Sequence, residues 1–112
     1  MRFEVRLTAD AVRDLEEIDD WISTNDSPAK AAHVAQSIEA AVETLKRFPE
    51  RGRHPAELLA VGIRDYREIF FKPYRIVYFV DGKRVYVVLI ADGRRDLQAL
   101  LARRLIWVVG HV

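Results

Sequence analysis

The chain has 112 residues, of which 50% are hydrophobic, and a formal net charge of +1. This length predicts a single domain over residues 1–112, built around a small hydrophobic core. The sequence contains no cysteine, which excludes a disulfide framework and thiolate chemistry. It has neither an apolar run of membrane-spanning length nor the apolar core of a signal peptide, so we expect a cytoplasmic protein without a membrane partner.

The charged residues are unevenly distributed along the chain. Residues 1–50 carry 6 basic and 11 acidic side chains, whereas residues 51–112 carry 12 basic and 6 acidic ones. Arginine supplies 14 of the 18 basic residues, and its guanidinium suits bidentate contact with carboxylate or phosphate. The distribution is typical either of a basic face in the second half or of solvated surface on both halves.

The first half of the chain has the patterns of one strand and two helices. Residues 3–7 alternate between apolar and charged side chains, which is the period of a half-buried strand. An amphipathic helix is predicted over about residues 9–23, with Thr8 as its N-cap. A second helix is predicted over about residues 28–48, with Ser27 as its N-cap and proline at its first position. The short connection predicts an antiparallel helical hairpin.

The second half has the patterns of three strands and a helix, with strands over residues 63–71, 74–80 and 85–91. The middle strand is apolar at nearly every position, so we expect it to be central and covered on both faces. Asp81-Gly82 predicts a tight hairpin after it. A final helix of about ten residues is predicted from Leu97, and the apolar tail 106–112 requires cover from the core or from another chain.

These elements predict an α+β fold. We expect an N-terminal strand, an antiparallel helical hairpin packed on a mostly antiparallel four-stranded sheet, and a short C-terminal helix. Neither a metal nor a cofactor is indicated, because the three histidines are far apart in the sequence and no phosphate-binding loop motif is present.

A group of arginines near the predicted strands forms the candidate site. Arg64 and Arg67 lie on the first strand of the predicted meander and Arg75 on the second, while Arg94 and Arg95 follow the third. Neighbouring antiparallel strands bring such positions close together. The sequence therefore favours a basic patch that binds phosphate or an acidic peptide.

Arg75 interrupts an apolar strand, and a guanidinium in such a position requires a partner. Two interpretations remain open. Either Arg75 pairs with an acid such as Asp65, Glu68 or Asp96, or it belongs to the basic patch.

Three segments together resemble the RelE/ParE toxins of type II toxin–antitoxin systems. Residues 74–96, YRIVYFVDGKRVYVVLIADGRRD, are similar to the second half of that family. Residues 11–18 match an A-x-x-D-L-x-x-I helix pattern, and residues 45–52 match L-x-x-F-P-x-x-G. The resemblance covers about residues 2–105. It implies a small toxin neutralised by an acidic, partly disordered antitoxin that is encoded by an adjacent gene and binds the operator DNA.

The resemblance implies one of two activities. RelE-like members are metal-independent mRNA endonucleases that act on the ribosome, whereas ParE-like members poison DNA gyrase. The arginines of the RelE pattern match Arg67, Arg75 and Arg95. The family's lysine position falls near Ile69 and its tyrosine position near Leu101, so the proton-transfer residues are missing.

The long helical hairpin and the FPERG turn are more similar to ParE. The resemblance therefore favours a toxin used in plasmid stabilisation that inhibits growth through gyrase. A RelE-like endonuclease and a non-toxic, antitoxin-binding family member remain as alternatives.

The remaining candidate residues lie at the C-terminal end or are tryptophans. Arg94, Arg95 and Arg103 are expected to contact a target or the antitoxin, whereas solvation is the favoured interpretation of Arg104. Trp21 and Trp107 are expected to pack in the core or at an interface, and Trp107 is included among the candidate binding residues.

Overall fold

The computed structural model describes the backbone of residues 2–111 and the side chains of residues 2–104. The strands are β1 Glu4–Leu7, β2 Tyr66–Phe71, β3 Tyr74–Asp81 and β4 Arg84–Asp92. The helices are α1 Ala9–Asn25, α2 Pro28–Glu43, α3 Ala56–Leu59 and α4 Leu97–His111, and a 3₁₀ turn, Thr44–Lys46, follows α2. No described helix is long and apolar enough to cross a membrane.

The four strands form one sheet in the order β1-β4-β3-β2. β1 runs parallel to β4, and the other two neighbouring pairs are antiparallel. The prediction of a mostly antiparallel four-stranded sheet is therefore confirmed. β2 begins at Tyr66, three residues later than predicted, and the short helix α3 was not predicted.

Local sequence explains the ends of the helical hairpin. The Thr8 hydroxyl accepts a hydrogen bond from the Ala11 N–H at 3.2 Å, and the Ser27 hydroxyl accepts one from the Lys30 N–H at 3.1 Å. Pro28 occupies the first position of α2, where its missing N–H costs nothing. Both predicted N-caps are confirmed, and only two residues separate the helices.

The two faces of the sheet carry separate hydrophobic clusters. The helical hairpin covers one face, where Ile38 and Leu45 belong to the same cluster as Ile76 and Tyr78. The α3 and α4 helices cover the opposite face, where Leu58 of α3 and Leu97 of α4 belong to the same cluster as Val77 of β3. Since the middle residues of β3 are fully buried on both faces, the predicted central strand is confirmed.

The β3–β4 connection is the predicted tight hairpin. Asp81 pairs with Arg84, so the loop consists of Gly82 and Lys83. Gly82 has φ +60°, a value that glycine adopts without strain. After β4, the helix α4 extends beyond the ten residues expected from the sequence. The prediction that the tail 106–112 requires cover concerns side chains outside the described residues.

Candidate functional site

A groove of about 740 Å³ lies between the helical hairpin and the sheet. Its floor is apolar, and three segments form its walls: the facing ends of α1 and α2, the β2–β3 turn, and the end of β4 with the loop that follows. The polar and exposed aromatic side chains of these walls include Glu17, Trp21, Asp26, Lys30, Lys72, Asp92, Arg94 and Arg95. Both its size and its lining, which is apolar with a few polar groups, are typical of binding sites.

The sheet side of the groove is basic. Arg94 is held by Asp92, which accepts hydrogen bonds from the Arg94 N–H at 2.9 Å, from Nε at 3.1 Å and from Nη2 at 2.9 Å. These bonds to Arg94 hold the pKa of the Asp92 carboxyl below its usual range. Among side chains of residues 2–104, the exposed Arg95 guanidinium has no acceptor, and Lys72 is likewise exposed without a carboxylate partner. The structure thus places Arg94 and Arg95 on the same wall of the groove.

The helical side of the groove is aromatic and acidic. Trp21 is 65% exposed, so the expectation of core packing is wrong for this residue, and interface packing remains a prediction. Glu17 is one α-helical turn away from Trp21 on the same wall. Asp26 is paired with Lys30 at 3.0 Å. An exposed tryptophan beside apolar surface is a feature of protein-binding sites.

Arg75 belongs to a carboxylate network on the opposite face of the sheet. Its Nε donates to Glu68 Oε1 at 2.6 Å, and its Nη1 and Nη2 donate to the two Glu57 oxygens at 2.6 and 2.9 Å. The Arg75 side chain is only 12% exposed, and the Glu68 side chain is fully buried. The exposed Arg53 forms a further ion pair with Glu68 at 3.3 Å.

This network decides between the two interpretations of Arg75. The interpretation in which Arg75 pairs with an acid is confirmed, with Glu68 as a predicted partner and Glu57 as an unpredicted one. The hydrogen bonds from Arg75 hold the pKa of Glu57 below its ordinary value, and those to Glu57 raise the pKa of Arg75. The guanidinium is therefore occupied and is not part of an open basic patch.

Arg67 and Arg64 are also separate from the groove's basic wall. Arg67 pairs with Tyr78 across the strands, on the hairpin face, whereas Arg75 pairs with Phe70 on the other face. Arg67 Nη1 donates to the carbonyl oxygen of Gly52 at 2.8 Å. Arg64 is exposed and precedes β2 rather than lying on it. The expectation that strand pairing would gather these arginines is wrong. Side chains alternate between the two faces along each strand, and this alternation places Arg67 and Arg75 on opposite faces of the sheet.

The arginines of α4 have different roles. Arg104 donates to both oxygens of Asp14, with Nη2 at 2.7 Å from Oδ1, and to the carbonyl oxygen of Val88 at 2.9 Å. The favoured interpretation of Arg104 as solvated is therefore wrong, since it joins α4 to α1. These hydrogen bonds to Asp14 raise the pKa of Arg104. Arg103 is exposed, and Trp107 lies outside the residues whose side chains are described.

Two acids with structural roles were missed in the sequence. Asp14 is buried and also accepts a hydrogen bond from the Ile90 N–H at 2.9 Å; its spacing of three from Ala11 and four from Ile18 placed it on the buried stripe of α1. Glu57 lies on α3. Pro55, immediately before this helix, was the one signal in the sequence that a helix begins there. Within the described residues, no group of three or more metal-binding side chains is found.

Comparisons with known proteins agree with the fold and connectivity. A family model described as "ParE toxin of type II toxin-antitoxin system, parDE" matches residues 5–97. The chain is 29% identical over 91 residues to Toxin ParE3 of Caulobacter vibrioides, an alignment that covers 81% of this chain and 87% of that toxin.

Two solved structures share the fold. A chain of the chromosomal ParDE system from P. aeruginosa aligns with a TM-score of 0.68 and 22% identity, covering 81% of this chain and 96% of that one. A chain of the RelBE2 toxin–antitoxin complex from Mycobacterium tuberculosis aligns with a TM-score of 0.56 and 24% identity, covering 82% and 99%. The chain therefore belongs to the ParE toxin family of type II toxin–antitoxin systems, within the RelE/ParE superfamily.

Proposed function

We propose that this chain inhibits bacterial growth by poisoning DNA gyrase in the cytoplasm, without cleaving RNA, and that a cognate antitoxin encoded by an adjacent gene neutralises it. In this proposal the module serves plasmid stabilisation, and the toxin contacts operator DNA only through the antitoxin. The single observation that carries the choice of gyrase over RNA cleavage is the pairing of Arg75 with Glu57 and Glu68.

RNA cleavage at the ribose 2′-hydroxyl requires cations that stabilise a charged phosphorane and groups that transfer protons. The two carboxylates next to Arg75 would repel a phosphate and already use the donors of its guanidinium. Arg67 donates to backbone carbonyl oxygens instead. Of the three arginines in the RelE pattern, only Arg95 lacks both a side-chain and a backbone acceptor within the described residues.

The positions of the missing proton-transfer residues support the same choice. Ile69 and Leu101 are buried in the two hydrophobic clusters. Neither position therefore carries a side chain that transfers protons. Because both positions are buried, a solvent water molecule cannot take over proton transfer there. The geometry favours a toxin that acts by binding rather than by catalysing RNA cleavage.

The groove supports the antitoxin part of the proposal. An acidic, partly apolar segment matches Lys72 and Arg95, the two cations of this wall without a carboxylate partner, while its apolar side chains match the floor and Trp21. Arg103 is exposed on α4, and in this proposal it is a further contact for the antitoxin. The assembly of the P. aeruginosa and M. tuberculosis relatives in toxin–antitoxin systems is consistent with such a partner.

The antitoxin site is tested by calorimetry with the product of the adjacent reading frame. We expect Trp21→Ala to weaken binding by about 30-fold, as for a central aromatic residue of an interface, and Arg95→Glu to weaken it further. Arg13→Glu, an exposed position of α1 outside the groove, is the matched control and should bind normally. Equal affinity of all variants would place the antitoxin elsewhere.

The target is tested with purified components. We expect the chain to make gyrase accumulate cleaved plasmid DNA, and to leave mRNA intact in a translating bacterial extract. Cleavage of mRNA in the extract, with no effect on gyrase, would instead support the RelE-like alternative. No effect in either assay from a folded chain that still binds its antitoxin would support the non-toxic alternative.

A further inference from the structure

A second surface lies at the other end of α2, away from the groove. Phe48 follows the 3₁₀ turn and is 62% exposed. Beside it lies a depression of about 540 Å³, lined by Phe3, Arg47, Phe48, Pro49, Glu50 and Arg51. We call these six residues the Phe48 surface. Burying the Phe48 ring against a ligand would gain free energy, so this side chain is available as a contact.

The backbone beneath the Phe48 surface is held rigidly. The buried Tyr78 hydroxyl donates to the Pro49 carbonyl oxygen at 2.7 Å and accepts from the Gly52 N–H at 3.0 Å. Arg67 donates to the carbonyl oxygens of Glu50 and Gly52. A Cβ at Gly52 would lie 2.6 Å from the Tyr78 hydroxyl oxygen. The turn therefore holds Phe48 outward in a fixed position instead of letting it fold back.

The charges on this surface are mainly positive. Arg47 and Arg51 line the depression on either side of the turn, and Glu50 is its one acidic lining residue. Arg51 Nη1 donates to the Thr44 hydroxyl at 2.7 Å, which orients the guanidinium without neutralising it. Neither arginine forms an ion pair with any described side chain. Exposed Arg2 adjoins Phe3, whose N–H donates to the Lys46 carbonyl oxygen.

We infer that the Phe48 surface binds single-stranded DNA. An exposed aromatic ring between arginines matches the alternation of base and phosphate, because a base stacks on the ring while the guanidinium groups contact the phosphates on either side. A duplex keeps its bases stacked on each other and cannot offer that face to Phe48. The site is therefore separate from operator binding, which the proposed function leaves to the antitoxin.

The choice of DNA over RNA rests on the proposed function, because gyrase acts on DNA. A toxin that also holds a single-stranded segment would remain close to the DNA that its target opens. The stacking and phosphate contacts themselves depend only on the Phe48 surface. The binding test below therefore contains neither gyrase nor antitoxin, so its result is independent of the growth-inhibition assays.

The experiment is fluorescence anisotropy of labelled oligo(dT) of about 12 nucleotides titrated with the purified chain. We expect Phe48→Ala to weaken binding by about tenfold, since it removes one base-stacking contact. For Arg47→Ala with Arg51→Ala, the slope of log K against log salt should fall by about 1.4, corresponding to two lost phosphate contacts on a single strand. Phe70→Ala, which removes an exposed ring outside the Phe48 surface that the Arg53 guanidinium already covers, is the matched control and should bind like the parent chain.

Any one of five results would overturn the inference. Four of them are no measurable binding of oligo(dT), equal binding of a duplex of the same length, unchanged binding by both Phe48 surface variants, and tenfold tighter binding of oligo(rU). Displacement of oligo(dT) by polyglutamate at equal charge would also overturn it, because an acidic protein would then be the preferred partner. Circular dichroism of each variant verifies that these surface changes leave the fold intact.

Discussion

Replacing Arg75 with methionine tests whether this residue is a structural ion-pair partner or an arginine open to phosphate. Methionine keeps an unbranched apolar stem but removes the guanidinium. Glu68, whose side chain is fully buried, would then retain only Arg53, which is 68% exposed and bonds from Nε at 3.3 Å. One buried carboxylate would be left with a single weak partner.

The expected loss follows from this burial. Removing one partner of a buried ion pair typically costs about 3–5 kcal/mol, because the other charge stays out of water. The contact with Glu57 adds less than about 1 kcal/mol, since that carboxylate is partly solvated, and Arg53 offsets part of the loss. We therefore expect the free energy of unfolding to fall by about 3–4 kcal/mol.

Urea unfolding at neutral pH measures this change. With a slope of about 1.5 kcal/mol per molar urea, the midpoint should fall by about 2–3 M. Arg94→Met is the matched control, because Arg94 pairs with Asp92 but is 87% exposed, and its loss should stay below about 1 kcal/mol. Adding Glu68→Gln to Arg75→Met should recover part of the stability. A midpoint for Arg75→Met equal to that of the control would contradict the structural role of Arg75.

Three further predictions concern the same contacts and the turn after α2. Arg104→Ala should cost about 3 kcal/mol in urea unfolding, because Asp14 loses its cationic partner while it remains buried; a loss below 1 kcal/mol would restore the solvated interpretation. Gly52→Ala should cost about 1–3 kcal/mol, because its Cβ would lie 2.6 Å from the Tyr78 hydroxyl oxygen and 2.7 Å from a backbone oxygen; unchanged unfolding would contradict that close packing. The pKa of Glu57 is lowered from 4.5 in the folded state, so its contribution to stability is present above pH 4.5 and is lost as the pH falls through the folded-state value. Glu57→Gln should therefore flatten the acid limb of the stability curve in this range, and an unchanged limb would count against the hydrogen bonds to this carboxylate.

Local features of the fold were predictable because they depend on neighbours in the sequence. Thr8 and Ser27 cap helices through bonds to residues three positions away. The nearly continuous apolar run of β3, interrupted only by Arg75, required cover on both faces, and Asp81-Gly82 required a tight turn. The residue patterns predicted these elements in the order that the structure confirms, except for the short helix α3.

The candidate site was only partly predictable because its contacts span long distances in the sequence. Arg104 and Asp14 are 90 positions apart, and the helical period alone does not name the partner of a buried acid. Glu57 meets Arg75 from a four-residue helix that is too short to show a period. By contrast, Arg94 and Arg95 are adjacent in one loop, so their proximity to each other followed directly from the sequence, whereas the groove that they line did not.

Pulse labelling after induction of this chain alone in a bacterial host tests the central claim most directly. Thymidine and methionine incorporation are followed in the same culture. We expect thymidine incorporation to fall first while methionine incorporation continues, as an effect on gyrase requires. A stop in methionine incorporation within minutes, with DNA synthesis continuing, would contradict the claim and identify the chain as an mRNA endonuclease.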